Sequence, residues 1–153
     1  MAGKNKIESG IYLFFDDTAG TARNLSTSLV PGSVSGPGFT RSEVSLRGVS
    51  DSAESYYGDV RDNQVTAQFY MDDTATTGSH TVLKAQIADA TGEGTLTIQF
   101  GSGGAAPVSP DPEWEGEYVL TAYETSISGG AVINSATWRP QAGQSAPAWG
   151  TVA

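Results

Sequence analysis

Between Val44 and Gly92 the spacing of apolar and polar residues changes from a strand period to a helix period. Gln64 to Met71 alternates strictly, with Val65, Ala67, Phe69 and Met71 set against Gln64, Thr66 and Gln68, which predicts a half-buried strand. Thr40 to Arg47 alternates more weakly, with Val44 and Leu46 opposite Arg41, Glu43, Ser45 and Arg47. The polar, acidic stretch between these strands carries Tyr56-Tyr57 and is too long for a tight hairpin turn. From Ser79 to Asp89 the period becomes helical. Val82, Leu83 and Ile87, with Ala90 beyond, form one apolar stripe, Gly78-Ser79 supplies an N-cap and Gly92 a stop.

The other elements predicted are strands. Ile11 to Phe15 runs into an Asp16-Asp17-Thr18-Ala19-Gly20 turn, and Thr21 to Ser26 returns as its partner. Thr27 to Gly38 is a loop, Thr95 to Phe100 a strand, and Gly101 to Pro112 a Gly/Pro-rich loop. Glu117 to Ile127, the Gly129-Gly130 turn and Val132 to Arg139 make a long hairpin. Gln141 to Ala153 is a tail of small residues with one large anchor, Trp149. Tyr12 to Ala19 is echoed by Gln68 to Ala75, two aromatic strand ends running into Asp-Asp turns. The chain is therefore mainly β and antiparallel, with one packed α-helix.

Length and composition narrow the class. With 153 residues, 38% hydrophobic and 16% charged, a single globular domain over 1-153 is expected, burying about 70% of its unfolded surface. There is no apolar run near 18 residues, so no membrane-spanning helix and no membrane partner are predicted. The basic Met1 to Lys6 is not followed by the apolar segment of a signal peptide. Zero cysteines exclude disulfides, thiolate catalysis and Cys-based zinc sites, and point to synthesis in a cytosol. Net charge is −9, with only three Lys and five Arg scattered along the chain. Such a chain repels DNA, because binding it tightly needs clustered cations to displace its counterions.

Catalytic patterns are missing. The single His80 lies at a helix start, where the dipole disfavours an imidazolium. Gly32-Ser33-Val34-Ser35-Gly36 has Val where a nucleophile elbow needs Ser. Gly101 to Ala106 imitates a dinucleotide loop, but Pro107, Pro110 and Pro112 forbid the helix that would hold a pyrophosphate. Asp16-Asp17, Asp72-Asp73 and Glu113/Glu115/Glu117 are the carboxylate groups that could serve calcium or a glycosidase, although adjacent Asp residues after strands are ordinary turn formers. No enzyme, cofactor or metal site is predicted. Trp138 shares a strand face with Val132 and Ala136 and reads as core, whereas Trp149 is exposed unless a partner covers it.

The ordered series Val44 to Ala53, Arg61 to Asp73, the helix beginning Ser79-His80-Thr81-Val82-Leu83, and Glu117 to Glu124 resembles the major tail tube proteins of long, non-contractile-tailed bacteriophages (the siphovirus type). The resemblance spans nearly the whole chain, with Gly101 to Pro112 and the tail matching least well. It implies the tail tube fold, an antiparallel β-sandwich or barrel with one outer helix. Six copies would form a ring whose sheets join into a ring-wide β-barrel, and rings would stack into a tube conducting double-stranded DNA into the host. Partners would be the chain itself and the tape-measure, tail terminator and tail tip proteins, with DNA passing through without tight binding. The protein would be part of the virion tail, made in the host cytoplasm. The N-terminal arm (1-10), the long inter-strand loop (49-61) and the C-terminal arm (140-153) would reach neighbouring subunits.

On that resemblance Val49, Ser50, Tyr56, Tyr57, Arg61 and Trp149 are the inter-subunit contact candidates. Tyr56 and Tyr57 either anchor an interface or fold back onto their own sheet. Lumen-lining candidates are Gln64, Thr66, Gln68, Ser135 and Thr137, although any antiparallel sheet with one face in water shows the same alternation. Six copies at −9 give a ring of −54, and a wall of carboxylates, hydroxyls and amides would not hold phosphates. About 24 strands at roughly 4.8 Å give a backbone bore near 40 Å or more, room for a duplex. The alternative is a phage decoration, fibre-type or carbohydrate-binding β-sandwich module. A hydrolase built on Glu115 or Glu117 is a third reading.

Overall fold

Alternation becomes pairing in a computed structural model of the chain, which describes residues 10–153. The N-terminal arm expected at 1-10 therefore lies outside the described residues except for Gly10. Strands β1 (Ile11–Asp16), β2 (Ala22–Asn24), β5 (Val65–Tyr70), β6 (Glu93–Phe100), β7 (Pro112–Ser128) and β8 (Ala131–Pro140) form one antiparallel sheet ordered β2-β1-β6-β7-β8-β5, and β9 (Ala148–Thr151) pairs with β7. β3 (Thr40–Ser45) and β4 (Tyr56–Asp62) make a separate two-stranded arm. The mainly β, antiparallel architecture with one helix, α1 (Ser79–Ala88), is as expected.

The sheet curls tightly around its core. Three strand spacings separate β1 from β8, about 14 Å in a flat sheet, yet the Phe15 and Trp138 rings meet at 5.6 Å between centroids. The edges approach as well. Leu25 N–H donates to the Leu13 carbonyl on β1 and, five residues on, Val30 N–H donates to the Gln68 carbonyl on β5, both at 2.9 Å. One face thus becomes an interior of Leu13, Phe15, Leu96, Ile98, Trp114 and Trp138, with Phe69, Leu120 and others completing it. The helix closes it through Val82 and Leu83.

Helix orientation departs from the predicted stripe. Ser79, Val82, Leu83 and Gln86 are buried, a clean i, i+3, i+4, i+7 face, while Ile87 is left exposed. A glutamine can take the inward place because its amide donates to the Asp16 carbonyl at 2.5 Å. The cap expected at Gly78-Ser79 falls on its glycine, and the Ser79 hydroxyl accepts from Ser28 at 2.6 Å.

Three segments expected to be loop or tail are strand. The 49-61 loop is shorter than read, because β4 begins at Tyr56 and pairs Tyr57 with Val44 and Tyr56 with Ser45. β7 begins at Pro112 rather than Glu117, since Trp114 and Tyr118 face the core while Glu113, Glu115 and Glu117 face away. The tail supplies β9, whose Trp149 lies opposite Trp114. A bulge in β7 between Leu120 and Ala122 shifts the register against β8.

Candidate functional site

On the face turned away from the core, β6 and the first part of β7 carry a polar row, flanked on β1 by Tyr12 and Phe14. Antiparallel register sets Thr95 opposite Glu117, Thr97 opposite Glu115 and Gln99 opposite Glu113. The Thr95 hydroxyl donates to Glu117 at 2.7 Å and the Gln99 amide to Glu113 at 2.7 Å, with a longer 3.4 Å contact from Thr97 to Glu115. Residues two apart on a strand lie about 7 Å apart, so three carboxylates form a row, each met by a neutral donor. The carboxylates that raised the possibility of a hydrolase thus line a sheet face. This row was readable in principle, since Glu113, Glu115 and Glu117 alternate with Trp114, Gly116 and Tyr118.

The five lumen candidates share that polar side on the neighbouring strand pair. Thr66 pairs with Thr137 and Gln68 with Ser135, while exposed Gln64 precedes β5 in the same alternation. The outer edge of β5 is already taken. Thr66 exchanges backbone hydrogen bonds with Ser35, both 2.9 Å, and Ser33 Oγ accepts from Gln68 N–H at 3.1 Å.

The contact candidates divide into an arm, its root and a distant strand. Val49 and Ser50 sit at the exposed tip of the β3–β4 hairpin, and Tyr56 and Tyr57 are 55% and 50% exposed on β4. Consecutive strand residues point to opposite faces, so each side of the arm carries one tyrosine. Arg61 lies at the root, its guanidinium 4.3 Å above the Phe39 ring. Phe39 packs edge-on against Trp114 at 5.4 Å, and Trp114 against Trp149 at 5.1 Å. An aromatic relay therefore ties the arm's root to β9. Phe39 was not singled out in the sequence; it follows Gly38 in a loop with no periodic neighbour.

Buried polar contacts hold this root. The Trp114 Nε1–H donates to Tyr118 Oη at 2.8 Å, and that hydroxyl donates to Asn63. Asn63 Nδ2 in turn donates to the Gly36 and Gly38 carbonyls. Burial pushes the Tyr118 phenol up to about 12, opposed in part by the Trp114 hydrogen bond, so it remains a donor at neutral pH. Arg139 pairs with Asp62 at 3.3 Å. His80 is half-buried rather than free, with Nδ1 2.9 Å from the Tyr123 hydroxyl, and burial also holds that phenol up at about 12. The Asp-Asp turns behave as turn formers. Backbone N–H groups of Thr21 and Ala19 donate to Asp17, and Thr74 donates to Asp72 through hydroxyl and backbone, holding both carboxyls below the usual range.

β9 is clasped through Gly116. A Cβ there would lie 2.6 Å from the Pro147 Cβ. Gly116→Ala is therefore expected to displace Pro147 and loosen β9, read as severalfold faster amide exchange at 148–151 with exchange in β5 unchanged. Unaltered protection of 148–151 would contradict this packing.

One concavity among the described residues, about 370 Å³, is an open depression lined by residues such as Ile11, Ser26, Leu29 and Pro31. It brings no acid, base and nucleophile together. No family model matches the sequence, and no curated protein is significantly similar to it. Solved structures do match its shape. A chain of the anti-feeding prophage baseplate aligns over 97% of this chain and 97% of its own, with a TM-score of 0.69 at 10% identity. A chain of the sheath-tube complex of the PVC extracellular contractile injection system aligns over 94% and 89%, at 0.61 and 12% identity. The PVC sheath/tube terminator gives 92% of both chains, at 0.62 and 11%. The fold is tail-tube-like. The tail-tube-like fold agrees with the sequence reading; these neighbours belong to contractile injection systems, so the likeness does not single out non-contractile tails.

Proposed function

We propose that the protein is a structural subunit of a phage-like tail, polymerising as stacked six-copy rings into the tube that conducts DNA. Fold likeness over almost the entire chain carries this reading. Two features of the molecule support it. Ala122–Ser128 of β7 pairs with β8 on one side and, among the described residues, with no strand on the other, leaving backbone groups for a neighbour's strand. The polar face, with its row of carboxylates, suits the bore of a tube whose net charge repels phosphates. Tape-measure, terminator and tip proteins are its partners in the particle, and the arm residues Val49, Ser50, Tyr56, Tyr57 and Arg61, with Trp149, make its inter-subunit contacts.

Negative-stain microscopy of the purified protein tests this: hollow tubes or six-fold rings are expected, and a monomer at every concentration would refute it. A second reading, a terminator or cap, is favoured by the terminator neighbour and by the likeness to the anti-feeding prophage tube-terminating cap (TM-score 0.61). It predicts closed rings that never lengthen. If Gln64, Thr66, Gln68, Ser135 and Thr137 face the bore, Gln64→Lys with Gln68→Lys should assemble normally. The resulting tubes should retain DNA at low salt and release it steeply as salt rises; tubes as indifferent to DNA as the parent would place this face elsewhere.

A further inference from the structure

The end of the sheet far from the arm's root carries an uncovered apolar rim. Ile127 lies opposite Val132, and Met71 N–H donates to the Val132 carbonyl at 3.1 Å. Paired antiparallel residues share a face, so Ile127, Val132 and Met71 stand side by side across three strands. Ile127 is 77% exposed, and Met71 and the adjacent Tyr70 are also exposed. Asp72 and Asp73 follow directly. Tyr70 ends β5, whereas the arm joins near Val65, about 17 Å away along the strand.

The arm presents the opposite half of a contact. Leu46 and Val49 are exposed at its tip, and the Arg47 guanidinium has only a 4.0 Å approach to Glu54. We infer that the Met71–Val132–Ile127 rim is the socket for the arm tip of a second copy of this chain, with Leu46 and Val49 on the rim and Arg47 facing Asp72-Asp73. Apolar atoms meet apolar atoms and a guanidinium meets carboxylates, on surfaces that one copy alone leaves uncovered. Each copy offers one tip and one socket, so the contact is heterologous and repeats from copy to copy without being used up in a pair. The inference rests on the self-assembling reading and adds the surface that receives the arm.

Charge exchange and cross-linking test it. Arg47→Glu and Asp73→Arg, each alone, should raise the concentration needed for assembly about tenfold, and the double variant should restore most of it. Because the chain has no cysteine, a Val49→Cys, Ile127→Cys double variant should give a ladder of disulfide-linked oligomers on oxidation, while each single variant stops at dimers. The inference is overturned, with the tube reading intact, if wild type and Ile127→Asp with Met71→Asp form tubes equally well. It is overturned too if the double-cysteine variant yields no ladder from assembled protein. A wild type that never assembles brings down both.

Discussion

Trp114→Ala is expected to destabilise the folded subunit by about 3–5 kcal/mol, lowering the melting temperature by about 10 °C or more. The indole is fully buried, packs on Phe39 and Trp149, and donates to the buried Tyr118 hydroxyl. Truncation opens a cavity where the sheet, the loop before the arm and β9 meet, and it deprives a buried phenol of one partner. Thermal unfolding by circular dichroism measures the loss, and Trp114→Phe should recover part of it. A melting point within about 2 °C of the parent would mean that this junction contributes little.

The second large effect concerns assembly. Tyr56→Ala with Tyr57→Ala should leave the monomer's melting temperature unchanged within about 2 °C, since half-exposed residues on an arm contribute little to the core. The concentration needed for polymer should rise by about tenfold or more, because aromatic anchors dominate interfaces. Sedimentation across a concentration series reads the two apart. Polymer forming at the parental concentration would remove the arm's tyrosines from the interface.

How far the sequence disclosed this depended on where the partners of each segment lie. β5, β6 and the β7–β8 hairpin were legible because alternation writes the buried face directly, as in Val65, Ala67 and Phe69 or Leu96 and Ile98. β4 was hidden by the acidic residues before it, and its pairing with β3 depends on a turn without a short-hairpin signature. The first half of β7 was obscured by Pro112 and Gly116, although glycine is required there by Pro147, a residue 31 positions on. β9 has no apolar period at all; it is a strand because β7 offers it an edge. Gln86 replaced Ile87 in the core because Asp16, 70 residues earlier, supplies an acceptor that periodicity does not register. The polar residues of the candidate site were legible by type, and their placement in one row was set by cross-strand register.

The irregularity after Leu120 lets a single strand serve two walls. Ahead of it, even-numbered positions such as 114, 118 and 120 turn inward; beyond it, Tyr123 takes that role opposite Ala136, and Glu124 goes to the water side opposite Ser135. Deleting Thr121 would set Leu120 and Ala122 against Trp138 and Thr137 in unbroken alternation, so Tyr123 and Glu124 would keep their faces while the ribbon lost the local bend and added twist that the extra residue gives it. A one-residue change of length between Ala122 and Ser128, with no bulge to absorb it, would instead exchange the faces of the residues beyond it.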